Sequence, residues 1–198
     1  MARRSDHTRD EIQEMAIQAA ERIVGLEGYQ GLSARKVAAE IGYTVGTLYL
    51  VFDKLEDLIF QVNGRTLDAL YERMSAAMAG CSSPYDCVSA LARAYIDFAL
   101  EQPKRWGMIY EHVLPEGEKV PAVYQAKVER LFSLVEESVK PLAQRHPRRE
   151  VAQAARVLWG AVHGICMLKL TNKLNVAGED SAHELVEVLI RRFLQGFG

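Results

Sequence analysis

The fold is decided by residues 31–52, which read GLSARKVAAEIGYTVGTLYLVF. Ser33 is placed to cap a short helix, because its side-chain oxygen can accept a hydrogen bond from an otherwise unpaired backbone N–H. Gly42 follows at the point where a helix end favours a residue that adopts positive φ. Thr44 is the next capping residue, so a second helix is predicted over 44–52 after a tight turn. This pattern predicts a helix-turn-helix, in which the second helix enters the major groove of DNA.

A resemblance to a known family rests on an apolar helix face, the two capped helices and an aromatic anchor. The residues that carry it are Ile12, Ala16, Ala19, Ala20, Ile23, Gly28, Tyr29, Gly31, Leu32, Ser33, Val37, Ala38, Gly42, Gly46, Thr47, Leu48, Tyr49, Phe52 and Leu58. In this order and spacing they resemble the N-terminal domain of the tetracycline-repressor (TetR) family. The resemblance implies a homodimeric transcriptional regulator, typically a repressor that leaves a palindromic operator when a small ligand binds. The alternative is a three-helix part of some other helical bundle.

The second helix predicts the contacts to operator DNA. Thr44, Val45 and Thr47 are expected to face base edges, with the Gly46 backbone exposed beside them. Nearby hydroxyl groups and cations are expected to contact phosphates. Replacing one of them should therefore change the affinity for all DNA sequences alike. These phosphate-contact candidates are Ser33, Arg35, Lys36, Tyr49 and Lys54.

The connection after Phe52 departs from the family pattern, which has one free residue, Ser or Asn, and then Lys-Glu, with the lysine opening the next helix. Here the order is Asp53-Lys54-Leu55-Glu56, so Leu55 occupies the position of that lysine. Asp53 and Glu56 have the spacing of a capping box, which predicts Lys54 as the first helical residue. Both registers remain open at this point.

Composition narrows the class of protein. A chain of 198 residues with 49% apolar content forms one domain or two small ones with an ample core. The net charge of −2 indicates no nucleic-acid partner by itself, so local cations, including an arm at Arg3 and Arg4, must provide the phosphate contacts. We see no apolar leader and no apolar run of transmembrane length, which predicts a soluble cytoplasmic protein without a membrane partner.

The three cysteines are Cys81, Cys87 and Cys166, an odd set without metal-ligand spacing. They predict reduced thiols and no metal site. A redox switch formed by Cys81 and Cys87 is the alternative.

Apolar residues recur at helical spacing along the whole chain, which predicts an all-α fold. Beyond the helix-turn-helix, helices are predicted over 53–79, 84–102, 104–111, 121–145 with a break at Pro141, 148–171 and 181–197. The predicted domains are a DNA-binding domain over 1–53 and a domain for ligand binding and dimerisation over 54–198.

Residues 151–170 are apolar on nearly all sides, so this helix must be covered on every side. A second copy gives the simplest cover, which predicts a four-helix dimer interface built from residues 148–171 and 181–197. Burial of both helices within one subunit is the alternative. Trp159-Gly160-Ala161-Val162-His163-Gly164 resembles the Trp-x-x-x-His-Gly signature of one class of TetR-family C-terminal domains. His163 is therefore either a ligand contact or a core histidine packed on Trp159.

The middle helices are rich in aromatic and methionine side chains. Together with the resemblance, this favours a cavity for a small hydrophobic or aromatic effector, entered near the segment that follows His112. The candidate ligand contacts are Tyr71, Met74, Phe98, Trp106, Tyr110, His112, Trp159 and His163.

Two other functions compete with an effector-controlled regulator. The first is a DNA-binding regulator without an effector, and the second is a helical-bundle enzyme. The sequence has no Glu-x-x-His pair, phosphate-binding glycine loop or nucleophile elbow. We therefore expect no catalytic residue, no cofactor and no metal.

Overall fold

The computed structural model of the chain describes residues 7–142, 148–176 and 178–197. These residues form α-helices joined by turns and short 3₁₀ segments, without a strand, which confirms the all-α prediction. The helices are α1 (Arg9–Glu27), α2 (Ala34–Glu40), α3 (Val45–Leu48), α4 (Leu55–Ala77), α5 (Pro84–Glu101), α6 (Pro103–Glu111), α7 (Ala122–Val139), α8 (Arg148–Leu170) and α9 (Ala182–Phe197). The bounds from α4 to α9 agree with the predicted helices within a few residues, except that α7 ends at Val139 and a 3₁₀ segment covers Lys140–Leu142.

The chain divides into two compact units. Unit 1 contains the residues up to Thr66 together with Lys104–Tyr124, and unit 2 contains Leu67–Pro103 and the residues from Gln125 onward. This grouping differs from the predicted boundary after residue 53, because it places the first half of α4 and all of α6 except Pro103 in unit 1.

Unit 1 is built around α1, which begins with a capping box. The Thr8 hydroxyl accepts a hydrogen bond from the Glu11 N–H at 3.2 Å, and the Glu11 carboxylate accepts one from the Thr8 N–H at 2.7 Å. The buried face of α1 packs into one apolar cluster with residues of α2, α3, α4 and α6. Its members are Ile12, Ala16, Ile17, Ala19, Ala20, Ile23, Val24, Val37, Ile41, Leu48, Phe52, Leu58, Ile59, Val62 and Met108.

Unit 2 packs α5 against α8 and α9. The buried residues of α9 recur at every fourth position, and those of α8 form one face of that helix. They are Ala182, Val186, Ile190 and Leu194 on α9, and Val151, Ala154, Ala155, Leu158, Val162 and Cys166 on α8. On the polar side of α5, the Glu187 carboxylate accepts hydrogen bonds from Tyr85 at 2.6 Å and Arg93 at 2.8 Å.

Cys81 and Cys87 are joined by a disulfide, with Cα atoms 5.3 Å apart. The expectation of reduced thiols is therefore wrong for this pair. Gly80 turns the chain after α4 with φ +88°, and α5 then starts at once, which returns Cys87 to the vicinity of Cys81. Cys166 remains a free, buried thiol.

One segment of the described residues, Glu150–Leu170, is long and apolar enough to cross a membrane by length and composition alone. The expectation that no apolar run reaches this length is therefore wrong. Core helices of bundles pass the same test, and one face of this helix packs inside unit 2. The segment is weak evidence for a membrane span.

Candidate nucleic-acid interface and internal cavity

The first helix of the predicted DNA-binding motif is capped as expected. The Ser33 hydroxyl accepts a hydrogen bond from the Lys36 N–H at 3.3 Å. Arg35 and Lys36 are exposed on α2. The Lys36 ammonium also pairs with the Glu27 carboxylate at the end of α1, so this cation has a carboxylate partner in the absence of DNA.

The second helix begins at a glycine turn and a threonine cap. Gly42 has φ +75°, and the Thr44 hydroxyl accepts a hydrogen bond from the Thr47 N–H at 3.2 Å. The regular helix α3 ends at Leu48, earlier than the predicted end at Phe52. A hydrogen bond from the Phe52 N–H to the Leu48 carbonyl, 3.1 Å long, continues the turn, and both side chains are buried.

The outer surface of this turn carries the remaining candidates for DNA contact. Thr44 and Gly46 are exposed, and Val45 and Thr47 are half-buried. Tyr49 is 44% exposed at the end of α3. The arm at Arg3 and Arg4 lies outside the described residues.

The register after Phe52 places Leu55 as the first residue of α4. The carboxylate of Asp57 accepts a hydrogen bond from the Lys54 N–H at 3.0 Å. Of the two registers left open by the sequence, the one with Lys54 as the first helical residue after an Asp53–Glu56 capping box is therefore wrong, because α4 begins one residue later. The Lys54 ammonium pairs with Glu118, and this hydrogen bond is the main reason that the pKa of Lys54 lies above its ordinary value.

Ion pairs tie the helices of unit 1 to one another. Arg22 of α1 pairs with Glu40 of α2 at 2.7 Å. Glu21 of α1 accepts from Arg65 of α4 at 3.4 Å and from Arg105 of α6 at 3.1 Å. The charged residues of unit 1 thus connect α1 to α2, α4 and α6.

The candidate ligand contacts are divided between the units. Tyr71, Met74, Phe98, Trp159 and His163 belong to unit 2, and Trp106, Tyr110 and His112 belong to unit 1. In unit 1, the rings of Trp106 and Tyr110 lie 4.7 Å apart, and His112 lies edge-on to Phe60 at 5.4 Å. Burial lowers the pKa of His112, which favours its neutral form.

Unit 2 contains an apolar cavity of about 40 Å³. Its lining residues are Met74, Val88, Leu91, Ala92, Tyr95, Val135, Leu158, Trp159 and Val162. Two of the candidate ligand contacts, Met74 and Trp159, are among them. A cavity near 150 Å³ is needed to hold a benzene ring, so this one must widen to admit an organic effector.

A polar pair lies beside this cavity. The Tyr95 hydroxyl and Nδ1 of His163 are 2.9 Å apart, and the His163 ring lies 5.3 Å from the Trp159 ring. Burial lowers the pKa of His163, so the neutral imidazole is favoured. Sequence reasoning did not select Tyr95 as a contact, although its place on the inward face of α5 was the available signal.

Two other candidates have different surroundings within unit 2. The guanidinium carbon of Arg130 lies 3.5 Å from the centre of the Tyr71 ring, a cation–π contact. Phe98 is buried on α5 and is not among the residues that line the cavity.

The outer face of α8 is apolar and uncovered. Val157 is 58% exposed, Leu168 is 44% exposed, and Met167 lies beside it at 38%. Gly160 and Gly164 have open space where a Cβ would stand. The helix predicted to be apolar on all sides therefore has one face in the core of its own subunit and another without cover among the described residues.

A capped helix-turn-helix, together with a helical unit that holds an apolar cavity, is typical of DNA-binding transcriptional regulators. Residues 16–62 match the family model described as bacterial regulatory proteins, tetR family. Residues 88–193, more than half of the chain, match the model described as tetracyclin repressor-like, C-terminal domain. The chain therefore belongs to the TetR family, and it is a transcriptional regulator rather than an enzyme.

Related proteins agree with this assignment. The chain is 28% identical over 182 residues to the uncharacterized HTH-type transcriptional regulator Rv0681 of Mycobacterium tuberculosis (strain ATCC 25618 / H37Rv), covering 91% of this chain and 78% of that protein. The fold of this chain is similar to that of a protein with unknown function from Rhodococcus sp. RHA1 (TM-score 0.76, 22% identity, 98% of both chains covered). It is also similar to RolR in complex with resorcinol (TM-score 0.69, 13% identity, 93% of this chain and 87% of that chain).

Proposed function

We propose that this protein is a homodimeric cytoplasmic repressor, which binds a palindromic operator and leaves it when a small hydrophobic or aromatic effector binds. The observation that carries the proposal is the exposed, capped start of α3. Its backbone is fixed by the Thr44 cap from outside and by buried Leu48 from inside. A short helix held in this way presents its first residues to a groove without losing its own structure.

Base recognition in this proposal falls to Thr44, Val45 and Thr47. The threonine hydroxyls donate or accept hydrogen bonds at base edges, and Val45 packs on thymine methyl groups. Gly46 lets the backbone approach the DNA closely because it has no side chain.

Phosphate recognition falls to side chains around the same surface, namely Ser33, Arg35, Lys36, Tyr49 and Lys54. Lys36 and Lys54 exchange their carboxylate partners, Glu27 and Glu118, for phosphates when DNA binds. This exchange adds to the dependence of operator affinity on salt.

Operator selection from random DNA, followed by fluorescence anisotropy with the selected duplex, tests this surface. Thr47→Ala should change the selected sequence, whereas Lys36→Gln and Tyr49→Phe should weaken binding to all sequences alike. Gln18→Ala, an exposed change on α1, is the matched control. A Val45→Ala/Thr47→Ala protein that selects the unchanged operator would contradict the assignment.

Dimerisation is proposed through residues 148–171 and 181–197. The uncovered face of α8 and the exposed Val188 of α9 support it. A stable interface buries on the order of 1,200 Å² or more in total. Two recognition helices in a symmetric dimer then meet successive major grooves about 34 Å apart, or a multiple of that distance.

The effector is proposed to bind in unit 2 by widening the apolar cavity. Met74 and Trp159 line that cavity, and His163 offers a polar group beside it. RolR, whose fold is similar, is known in complex with resorcinol, which supports an aromatic ligand class. The other proposed contacts remain Tyr71, Phe98, Trp106, Tyr110 and His112.

The helix α4 connects effector binding to DNA binding in this proposal. It is continuous from Leu55 to Ala77, so its first half belongs to unit 1 and its second half, with Met74, to unit 2. An effector releases the operator only to the extent that it binds two arrangements of the protein unequally.

Release of labelled operator by a panel of phenols and fatty acids tests the effector site. Met74→Trp should fill the cavity and abolish the response while leaving operator binding measurable. Ala76→Trp, at an exposed position of the same helix, is the control and should respond normally. If Met74→Trp still releases the operator at the same ligand concentration, the effector site lies elsewhere.

A further inference from the structure

The disulfide connects the end of one helix to the beginning of the next. Cys81 follows the glycine turn after α4, and Cys87 lies in the first turn of α5, whose start is capped by Ser83. Their Cα atoms are 5.3 Å apart, within the usual range for a disulfide. The helix cap therefore holds the backbone in a form that suits the bond.

Small reagents can reach this pair. Both cysteines are half-buried and line an open surface pocket of about 240 Å³. Cys166 differs, because it is fully buried and burial raises the pKa of its thiol to about 11. The chain thus contains one reactive cysteine pair and one protected thiol.

The pair is also adjacent to two walls of the apolar cavity. Val88 and Met74 both line the cavity. Cys87 directly precedes Val88 in the sequence. Cys81 follows the last turn of α4, and that turn begins at Met74. A bond between the two cysteines therefore fixes the chain that connects these walls.

We propose that Cys81 and Cys87 form a reversible redox pair that a peroxide oxidises, and that the bond changes operator affinity through the second half of α4. The Cys87 thiolate attacks the O–O bond of hydrogen peroxide, giving a sulfenic acid and releasing hydroxide, which takes up a proton to form water. The Cys81 thiol then attacks that sulfur and forms the S–S bond, and the hydroxyl leaves as water. Two thiols and one peroxide thus give one disulfide and two waters. A dithiol reductant returns the protein disulfide to two thiols by exchange and is itself oxidised to a disulfide.

Thiol counting tests the chemistry, and it does not depend on the proposed function. The protein is reduced, freed of reductant, treated with equimolar hydrogen peroxide, and titrated under denaturing conditions. The wild type should fall from three free thiols per chain to one. Cys166→Ser should fall from two to none, and Cys81→Ser/Cys87→Ser should keep its single thiol. Retention of all three thiols, or reaction of Cys166 as fast as the pair, would overturn the redox assignment.

Operator anisotropy tests the regulatory half, which rests on the proposed function. The reduced and oxidised wild type should differ in operator affinity by about fivefold or more, and the Cys81→Ser/Cys87→Ser variant should not respond to peroxide. Equal affinities, with the thiol counts as expected, would overturn the regulation and leave the redox chemistry standing. Failure of every form to bind any selected DNA would instead overturn the proposed operator binding.

Discussion

Unit 1 and unit 2 are both built from amphipathic helices, but they differ in how completely these helices bury their apolar residues. In unit 1 the apolar residues close into one cluster, and arginines of α1, α4 and α6 pair with carboxylates of neighbouring helices. Unit 2 has a cavity inside it and an uncovered apolar face on α8. The difference shows where added volume can be accommodated: unit 1 is closed around its apolar cluster, whereas unit 2 has an unfilled cavity and an apolar face without cover among the described residues.

The largest effect is expected at the uncovered face of unit 2. Val157→Glu/Leu168→Glu should produce folded monomers, because both side chains lie outside the core of the subunit. Operator affinity should fall about 100-fold or more, since a monomer binds only one half-site. Sedimentation and operator anisotropy measure the two quantities. Val176→Glu, at a position 82% exposed in the turn after α8, should remain dimeric, and a dimeric double variant would contradict the interface.

Adding one methylene group to each unit compares their packing directly. Val37→Ile enlarges a fully buried residue of the closed cluster and should destabilise the protein by about 1–3 kcal/mol. Val88→Ile extends into the cavity and should be neutral or stabilise by up to about 0.8 kcal/mol. Urea unfolding of both variants measures the difference. Equal losses would mean that the cavity does not tolerate added volume.

Loss of the disulfide should weaken unit 2. Closing a short loop restricts the unfolded chain, so Cys81→Ser/Cys87→Ser should lower the free energy of unfolding by about 2 kcal/mol. The wild type in a dithiol reductant should show the same loss, and the Cys81→Ser/Cys87→Ser variant, which should lose nothing further in that reductant, serves as the control. Denaturation curves that coincide with and without reductant would contradict the expected stabilisation.

The cap of α3 should contribute about 1 kcal/mol to unit 1. Thr44→Ala removes the oxygen that accepts the Thr47 N–H and should destabilise the protein by that amount. Thr44→Ser keeps this oxygen, so it should keep the stability and change only contacts that need the methyl group. Thermal unfolding separates the two variants. A loss of stability in Thr44→Ser equal to that in Thr44→Ala would show that the cap is not the cause.

The smallest effect is the pH dependence of two histidines. Burial lowers the pKa of His163 in unit 2 and of His112 in unit 1, while Glu56 and Glu118 partly oppose the shift at His112. A lowered pKa in the folded state means that the unfolded chain takes up the proton first. Stability is therefore fully present above the ordinary pKa of about 6.5 and is lost as the pH falls below it.

Replacing each histidine compares the two units. His163→Gln should flatten the loss of stability between pH 6.5 and pH 5 more than His112→Gln does, because Glu56 and Glu118 partly offset the effect of burial at His112. Urea unfolding across this pH range is the measurement. An unchanged profile in both variants would show that other groups determine the acid sensitivity.

The local features of the fold were predictable because their causes are local. Ser33 and Thr44 cap their helices, and Gly42 adopts positive φ, since each needs only its neighbours in the sequence. The pairing of Cys81 with Cys87 depends on where one helix stops and another starts, and a spacing of six residues gives no such information. The sequence placed Trp106 in the domain over 54–198, whereas the structure groups it with unit 1. The reason is similar, because a row of aromatic side chains on a helix does not show which other helix packs against that row.

The buried Met108 of α6 has a consequence for building hybrid regulators. Its side chain belongs to the apolar cluster around α1, although it lies some fifty residues beyond the helix-turn-helix in sequence. A DNA-binding domain transferred as residues 1–53 alone would lack the buried side chain of Met108. It would also lack α6, which carries Arg105, the partner of Glu21. The exchangeable module is discontinuous: a functional graft has to take α6 together with the first half of α4, or supply equivalent side chains from the recipient.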